Sequence, residues 1–473
     1  TKFMDFLGYN AWVGGSGEVS AIRVTEWEEP QAVIGSFLHK YAYPDWYAEH
    51  QERGKQLSEA YQHSAGQANC IQLRGEYLYV AEGSKGMRVY DVASIANKGV
   101  SQRIITAPFS PLGHDTHIPT KNATCVVLPT TQPVQPSRNE GDLMRKENLE
   151  QPAAAIYRYA FITDSEEGLI VVDIDSLYDG EPRDNFLQRT ITWNDNGVLN
   201  GVRHLAIAGN WFYATTPRGV EVIDMTDPLK PRHVRSVALP DARASQQQFR
   251  YLFVTTGRGL EVLDITHPDK AYVVPDAFIA VADAHKLHVA RTFAYVAAGA
   301  EGLVIVDVTK PTRPTLYQRF NGDGAISDAR DVTVASTNAS LYAYVADGKN
   351  GLHVVQLTGP ENQPKFYGYS PDPKPVLIAS RQTAKPALSL SRALERDRAV
   401  DETGGQIVVL GRVGSRPFTG EEQRAFYLDA NGNPWTVSDK VDGPRGITTK
   451  PLPFKNNRIM EMQRGTQSAG MPH

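Results

Sequence analysis

One pattern of apolar and polar positions recurs six times along the chain. Each copy has an aromatic-rich strand, a turn that contains glycine, and a β-branched strand that ends at Asp or a polar substitute. The copies read YLYVAEGSKGMRVYDV from Tyr77, YAFITDSEEGLIVVDI from Tyr159, WFYATTPRGVEVIDM from Trp211, YLFVTTGRGLEVLDI from Tyr251, FAYVAAGAEGLVIVDV from Phe293 and YAYVADGKNGLHVVQL from Tyr342. The pattern predicts one strand–turn–strand unit used repeatedly, so residues shared by all copies are structural and private residues carry individual function.

The spacing of the copies indicates the architecture. The glycines that open the second strand of each copy are Gly86, Gly168, Gly219, Gly259, Gly302 and Gly351, at intervals of 82, 51, 40, 43 and 49 residues. A period of roughly 40–45 residues is typical of a four-stranded propeller blade. The long first interval predicts an insertion between the first two copies.

The copy around residues 284–320 predicts all four strands of a blade. His285–Val289, Phe293–Ala297, Leu303–Val308 and Thr315–Phe320 follow one another with turn residues between them. The third strand is apolar on both faces, as expected for a strand packed between neighbouring sheets. The fold class is therefore all-β.

A seventh copy lies at the N-terminus but lacks a first strand. Tyr9–Gly15, Val19–Val24 and Ala32–Leu38 match the second, third and fourth strands. Val376–Ser380 or Ala387–Ser391 could supply the missing strand and close the ring, which would remove the free sheet edges. We expect a seven-bladed β-propeller over residues 1–392.

Residues 393–473 are expected to form a mixed, partly extended C-terminal extension. Arg398–Gly411 faintly repeats the blade pattern, so an eighth blade stays open. Thr419–Glu422 fits a capping box before a short helix, and Asn431-Gly432 fits a hairpin turn.

The run GLVIVDV at residues 302–308, with GLIVVDI and GLEVLDI in other copies, resembles the LVIVD-repeat family. The resemblance extends over about residues 9–363, apart from the insertions. It implies a β-propeller on a secreted or cell-surface protein. Some propellers of this kind are associated with multihaem c-type cytochromes, so the resemblance suggests an extracytoplasmic location and such a cytochrome as one partner.

The first strand of each blade is expected to line the central channel, and its polar residues differ between copies. These channel candidates are Asn69, Arg203, His204, His285, Lys286, Arg330 and Asp331. They could build a binding or catalytic site. The alternative is that they are polar only because the channel is wet.

The chain has two cysteines, which occupy the same position in adjacent copies. Neighbouring first strands could bring the Cα atoms of Cys70 and Cys125 within the roughly 4.4–6.8 Å that a disulfide needs. A disulfide would suit an extracytoplasmic protein. The alternative is a pair of buried thiols, and two cysteines leave no CxxCH haem attachment site.

Other candidate chemistry is weaker. His114 and His117 flank Asp115 in LGHDTHIP and are candidate metal or haem ligands, or else loop histidines. Nucleotide-binding and hydrolase motifs do not occur in a supporting context, and no cofactor is expected.

Two insertions are the most individual parts of the repeat region. Residues 40–64 contain Tyr43, Trp46 and Tyr47 among charged residues, which suggests a partner surface or packing on the propeller. Residues 129–152 are Pro-rich and charged, and a loop of this length is usually functional or mobile.

Composition narrows the function further. Lys plus Arg number 49 and Asp plus Glu 53, so a net charge of −4 gives no basic footprint for nucleic acid. No apolar run approaches the roughly 20 residues of a membrane span. The first residues lack the pattern of a signal peptide and an initiating Met, so we expect a processed or internal start.

Two function classes follow from these observations. We favour a non-catalytic propeller that acts as a binding or scaffold subunit of an extracytoplasmic assembly. The alternative is a lyase or hydrolase that uses the channel residues. The fold alone does not choose between them.

Overall fold

The computed structural model describes residues 10–15, 18–23, 31–34, 66–75, 77–91, 116–131, 133–139, 154–179, 187–337, 340–359, 372–392, 412–413, 416–417, 421, 424 and 427–433. For the three strands before residue 35, the structure describes the backbone alone. The predicted insertion at 40–64 and residues 398–411 lie outside the described residues.

Nearly all described strands belong to four-stranded antiparallel sheets. Near the N-terminus lie β1 (Asn10–Gly15), β2 (Glu18–Arg23) and β3 (Gln31–Ile34). Blade 1 comprises β4 (Cys70–Arg74), β5 (Tyr77–Ala81), β6 (Met87–Asp91) and β7 (His117–Ile118). Blade 2 comprises β8 (Ala123–Val127), β9 (Tyr159–Asp164), β10 (Gly168–Asp173) and β11 (Gln188–Trp193). Blade 3 comprises β12 (His204–Ala208), β13 (Trp211–Thr216), β14 (Gly219–Asp224) and β15 (Arg232–Ala238).

The next three blades follow the same order along the chain. Blade 4 comprises β16 (Ala242–Gln248), β17 (Tyr251–Thr256), β18 (Gly259–Asp264) and β19 (Tyr272–Ala280). Blade 5 comprises β20 (Leu287–Ala290), β21 (Phe293–Ala297), β22 (Leu303–Asp307) and β23 (Thr315–Phe320). Blade 6 comprises β24 (Asp331–Thr337), β25 (Ser340–Ala346), β26 (Leu352–Thr358) and β27 (Val376–Arg381). Short 3₁₀ turns occur at Pro136–Asn139, Ala155–Arg158, Asp175–Tyr178, Asp195–Gly197 and Pro268–Lys270.

Six blades are thus built from four consecutive strands each, one fewer than the predicted seven. The strands from the two ends form a further, composite four-stranded sheet, in which β28 (Ala387–Leu390) pairs with β1. The other candidate for this role, Val376–Ser380, instead lies in β27, the fourth strand of blade 6. The described residues form no eighth four-stranded sheet.

The first strands of all seven sheets lie side by side around the channel. β28 lies between the first strands of blades 6 and 1, and so completes the circle. The composite sheet is joined to blade 1 by side chains: Ser389 Oγ accepts from the Ile71 N–H at 3.1 Å, and Ser391 Oγ accepts from the Leu73 N–H at 2.7 Å. The fold is an all-β propeller whose circle requires both ends of the repeat region.

The apolar core lies between neighbouring sheets. In β22, Val304 and Val306 pack in the core shared with blade 4, whereas Leu303 and Ile305 pack in the core shared with blade 6. Side chains on a strand alternate between its two faces, so a strand between two other sheets must be apolar throughout. The outer strand β23 has mostly exposed side chains, because no sheet covers it.

The glycine that opens the third strand of each blade is required by geometry. Gly351 has φ +87°, and a Cβ atom there would lie 2.2 Å from the Arg381 carbonyl oxygen in the fourth strand. The corresponding glycine of blade 1, Gly86, has φ +79° and would place Cβ 2.1 Å from the Ile118 carbonyl oxygen. Only glycine combines positive φ with this close approach of two backbones.

The chain divides into two compact units, Thr1–Leu428 and Asp429–His473. In the first, Glu421, Arg424 and Tyr427 are helical, where the sequence predicts a short helix. Tyr427 is buried, and its hydroxyl donates to the Phe249 carbonyl oxygen at 2.6 Å. The predicted boundary at residue 393 stays a prediction.

The described part of the second unit is a tight turn. Asp429 Oδ1 accepts from the N–H groups of Asn431 and Asn433, and Gly432 has φ +80°. This turn lies at the Asn-Gly pair that the sequence singles out.

We predict that Gly351→Ala lowers the free energy of unfolding by more than about 2 kcal/mol, because both positive φ and the Arg381 carbonyl oppose a Cβ atom. Gly324→Ala is the matched control, since Gly324 has φ +92° with no atom within 4 Å of its Cβ position. Gly324→Ala should lower the free energy of unfolding by only about 1 kcal/mol, which corresponds to the strain of positive φ alone. Urea unfolding measures both, and equal losses would contradict the close-approach argument.

Candidate functional site: the mouth of the propeller channel

A cavity of about 440 Å³ lies at one end of the channel. Each of the seven sheets contributes at least one side chain to its wall, and one residue near the start of each first strand belongs to a ring. These seven residues, the mouth ring, are Asn69, Thr124, Arg203, Arg243, His285, Arg330 and Leu388. Four of the predicted channel candidates therefore belong to the mouth ring: Asn69, Arg203, His285 and Arg330.

The ring side chains of blades 1 to 4 bind the backbone of the next blade. Asn69 Nδ2 donates to the Ala123 carbonyl at 3.0 Å, and Arg243 Nη1 donates to the Ala284 carbonyl at 3.0 Å. A first strand is paired on one edge only, so its other edge would leave carbonyl and N–H groups unsatisfied in the channel. The polar ring therefore has a structural task.

Deeper in the channel, glutamine side chains also bind the backbone of the next blade. Gln72 donates to the Leu128 carbonyl at 3.2 Å and accepts from the Leu128 N–H at 3.0 Å. Gln246 forms the same pair of bonds with Val289, at 3.2 and 2.8 Å. One amide side chain thus replaces a missing strand neighbour at each of these points.

Ion pairs connect the ring between blades 3 and 5. Asp241 accepts from Arg203 and lies 3.2 Å from Arg243, and Arg243 reaches Asp283 at 2.8 Å. His285 Nε2 lies 2.9 Å from Asp283 Oδ2. These pairs are partly exposed, so each contributes little stability, but together they fix the positions of the ring side chains.

Sequence reasoning missed the acidic members of this network. Asp241, Asp283 and Asp328 each lie two residues before a ring residue, in the triplets DAR, DAH and DAR. Arg330 pairs with Asp328 and also lies 3.1 Å from His285 Nε2. The recurring Asp-Ala-Arg/His triplet was the signal that could have identified them.

Lys286 extends across the channel beneath the ring. Its Nζ donates to the Asn69 carbonyl at 2.9 Å, Asp331 Oδ2 at 3.0 Å and Ser389 Oγ at 3.1 Å. Asp331 Oδ2 also accepts from the Leu390 N–H at 2.9 Å. A single ammonium group therefore joins blade 5 to blades 6 and 1 and to the composite sheet.

The channel histidines are kept neutral. Burial, reinforced by the charges of Lys286 and Arg392, lowers the pKa of His204 to about 3. Its Nδ1 accepts from the Ser245 N–H at 3.4 Å, so the neutral ring carries its proton on Nε2. Burial also lowers the pKa of His285, although Asp283 acts in the opposite direction. A base with such a low pKa is a poor proton acceptor at neutral pH.

Cys70 and Cys125 lie on the first strands of blades 1 and 2. The structure joins them by a disulfide, with Cα atoms 4.7 Å apart and both residues buried. The bond crosses between two blades on the same side as the mouth ring, and Cys125 lines the cavity.

Of the remaining candidates, His117 lies within the described residues. His117 lies in β7, where its Nε2 donates to the Lys85 carbonyl at 2.8 Å, and His114 lies outside the described residues. Tyr43, Trp46 and Tyr47 also lie outside them. Within the described ranges, no group of three or more His, Cys, Asp or Glu residues is arranged to hold a metal ion.

An array of Asp347, His353 and Ser380 in blade 6 has the composition of a nucleophilic triad. His353 Nδ1 lies 2.7 Å from Ser380 Oγ, and its Nε2 lies 3.2 Å from Asp347 Oδ2. Asp347 also accepts from the backbone N–H groups of Ser327 and Asp328. Ser380 and His353 are direct cross-strand neighbours, and Asp347 lies in the turn between β25 and β26, so we interpret the array as a structural link within blade 6.

We predict that His204→Gln flattens the dependence of stability on pH. The unfolded chain protonates this histidine near pH 6.5, whereas the folded protein does so only near pH 3. Between these values unfolding takes up a proton, so the stability that the neutral histidine contributes is lost as pH falls.

Denaturant unfolding of both proteins between pH 5.0 and 6.5 measures the effect. The wild type should lose stability with a steeper slope, by up to about 1.4 kcal/mol per pH unit. Between pH 7.5 and 8.5 the two slopes should agree, which serves as the internal control. Equal slopes in the acidic window would show that His204 is not held neutral.

Comparison with known proteins agrees with the repeat and adds little on function. The model of the LVIVD repeat matches residues 65–99, 157–176, 282–322 and 327–358. No curated protein matches the sequence. Within the described residues, no helix is long and apolar enough to cross a membrane.

Several solved structures are similar to this chain at low identity. PorZ of Porphyromonas gingivalis, described as an essential surface component of the type-IX secretion system, is 12% identical over 74% of this chain, with a TM-score of 0.41; the match spans only 36% of PorZ. The Cps50 (Swd1) β-propeller domain of Myceliophteria thermophila is 12% identical over 70% of this chain and 91% of its own, with a TM-score of 0.43. AztD of Citrobacter koseri is 14% identical over 82% of this chain and 100% of its own, with a TM-score of 0.39.

These similarities are too distant to carry a functional argument. The family matches fall on blades 1, 2, 5 and 6 and coincide with the strand–glycine–strand units of those sheets. The chain therefore contains LVIVD repeats in four blades of an all-β propeller.

Proposed function

We propose that this protein is a non-catalytic propeller that acts as a binding or scaffold subunit of a protein assembly. The observation that carries the proposal is the use of the channel side chains. Arg203, Arg243 and Lys286 are bound to carboxylates and to the backbone of other blades. The cationic groups that a channel lyase or hydrolase would need to stabilise a developing negative charge thus already hold the blades together, and burial lowers the pKa values of His204 and His285.

The outer strands of three consecutive blades support a role in binding. Their exposed large apolar side chains are Tyr272 and Phe278 in β19, Leu316 and Tyr317 in β23, and Val376 in β27. We call these five residues the outer apolar rim. Apolar and aromatic side chains on exposed edge strands are typical of surfaces that bind other chains.

Purification of the native protein with identification of co-eluting chains tests the proposal. We expect a partner in stoichiometric amount, whose recovery falls when Tyr272 and Leu316 are both replaced by Ser. Loss of one buried apolar side chain from an interface weakens binding by roughly tenfold or more. A multihaem c-type cytochrome, the partner class that the family resemblance suggests, is one identity that the experiment would reveal.

Gln318→Ser is the matched control, because Gln318 is an exposed polar residue of the same strand as Leu316. Recovery of the partner should be unchanged in this variant. A monomer that binds nothing, or equal losses in the polar and apolar variants, would contradict the proposal.

We further propose an extracytoplasmic location, supported by the Cys70–Cys125 disulfide, because such bonds persist in oxidising compartments. Intact mass of the native protein should increase by about 2 Da on reduction, the mass of the two hydrogens that are added. The bond closes a loop with a sequence separation of 55, so reduction should lower stability by about 2–4 kcal/mol.

A variant with both cysteines replaced by Ser provides the control. It should unfold like the reduced wild type and should not respond to reductant. Native protein whose mass does not change on reduction would contradict both the bond and this support for the location.

A further inference from the structure

The mouth ring is divided into a cationic half and a neutral half. Arg203, Arg243 and Arg330 come from blades 3, 4 and 6, whereas Asn69, Thr124 and Leu388 come from blades 1 and 2 and the composite sheet. With Lys286 included, four cationic side chains but only two carboxylates, Asp241 and Asp283, line the cavity. The remaining acidic partners, Asp328 and Asp331, compensate charge from outside the lining.

Four cationic groups therefore face the cavity, whereas two of their four carboxylate partners lie behind its wall. A concave site with low-dielectric walls concentrates ions of the opposite sign. A volume of about 440 Å³ falls within the roughly 300–1,000 Å³ of small-molecule sites. The cavity is therefore large enough for a small anion with an organic body.

Arg203 retains hydrogen-bonding capacity that the ring does not use. Its Nη1 donates to Asp241 and to the Ala242 carbonyl, whereas Nε and Nη2 have no partner among the described residues. These two groups share one edge of the guanidinium, and their N–H bonds form the fork that matches two oxygens of a carboxylate or phosphate. The side chain is 38% exposed and lines the cavity.

His204, the next residue, adds a neutral donor. Because Nδ1 accepts from the Ser245 N–H, Nε2 carries the proton, and no described residue accepts it. His204 also lines the cavity. An N–H donor and an arginine fork that line the same cavity favour an oxyanion over a cation or an apolar ligand.

We propose that the channel mouth is a binding site for a small oxyanion, a carboxylate or phosphate group on a small molecule, held by the Nε–Nη2 edge of Arg203 and by His204. The cationic half of the ring attracts the anionic group. The neutral half, with Asn69 and Thr124, faces the body of the ligand. This site is independent of the outer apolar rim.

Isothermal titration calorimetry with inorganic phosphate and with succinate, each at fixed ionic strength, tests the proposal and separates the two sources of the oxyanion. Fixed ionic strength removes general screening of the charges. We expect saturable one-to-one binding of at least one probe. Arg203→Gln should weaken that binding by roughly tenfold or more, and Arg203→Lys, which keeps the charge but not the fork, should weaken it less.

Arg232→Gln is the matched control, since Arg232 is also paired with an aspartate, Asp224 at 2.7 Å, but lies on the outer strand β15. The Arg232→Gln variant should bind the probe with the same affinity as the wild type. The proposal is overturned if neither probe binds the wild type, or if Arg232→Gln weakens binding as much as Arg203→Gln. Thermal unfolding of Arg203→Lys shows whether the mouth ring is intact in this variant. Recovery of a protein partner is measured in a separate experiment, so the oxyanion site and the scaffold role can each fail without the other.

Discussion

The open edge of each first strand is the constraint on which the rest of this propeller depends. A first strand bonds to its own blade on one side and faces the channel on the other, where its backbone groups have no strand partner. Burying such groups without hydrogen bonds costs free energy at every residue. The chain meets this need with side chains of the preceding blade, such as Asn69, Gln72, Arg243 and Gln246.

This constraint explains why polar residues recur in the channel although their identities differ between blades. Any side chain at the level of an open backbone group can donate to its carbonyl or accept from its N–H. Amide, hydroxyl and guanidinium groups are therefore interchangeable for this purpose. Arginine is the exception, because it has five N–H groups and the edge uses only some of them. The unused groups of Arg203 are therefore available for a ligand without loss of the structural bond.

Where the circle of blades closes, side chains also bind the open edge of the neighbouring first strand. The composite sheet combines strands from both ends of the repeat region, and Ser389, Ser391 and Lys286 bind it to its neighbours. The apolar third strands add stability through hydrophobic burial, because each is packed between two sheets. The outer strands have neither role, so their side chains are free to differ between blades.

The sequence by itself determined the repeat, the all-β class, the position of the glycine turns and the residues of the channel. These are local patterns, set by strand periodicity and by backbone geometry, and six copies repeat them. It left open whether Val376–Ser380 or Ala387–Ser391 completes the first copy, because both segments have the pattern of a strand.

Only the tertiary structure decided that question, since pairing with β1 depends on which segment reaches it. The tertiary structure also identified Asp241, Asp283 and Asp328 as members of the mouth network and showed that Lys286 crosses the channel. Such contacts join residues far apart in the chain. They depend on the circular arrangement of the blades, which no local pattern records.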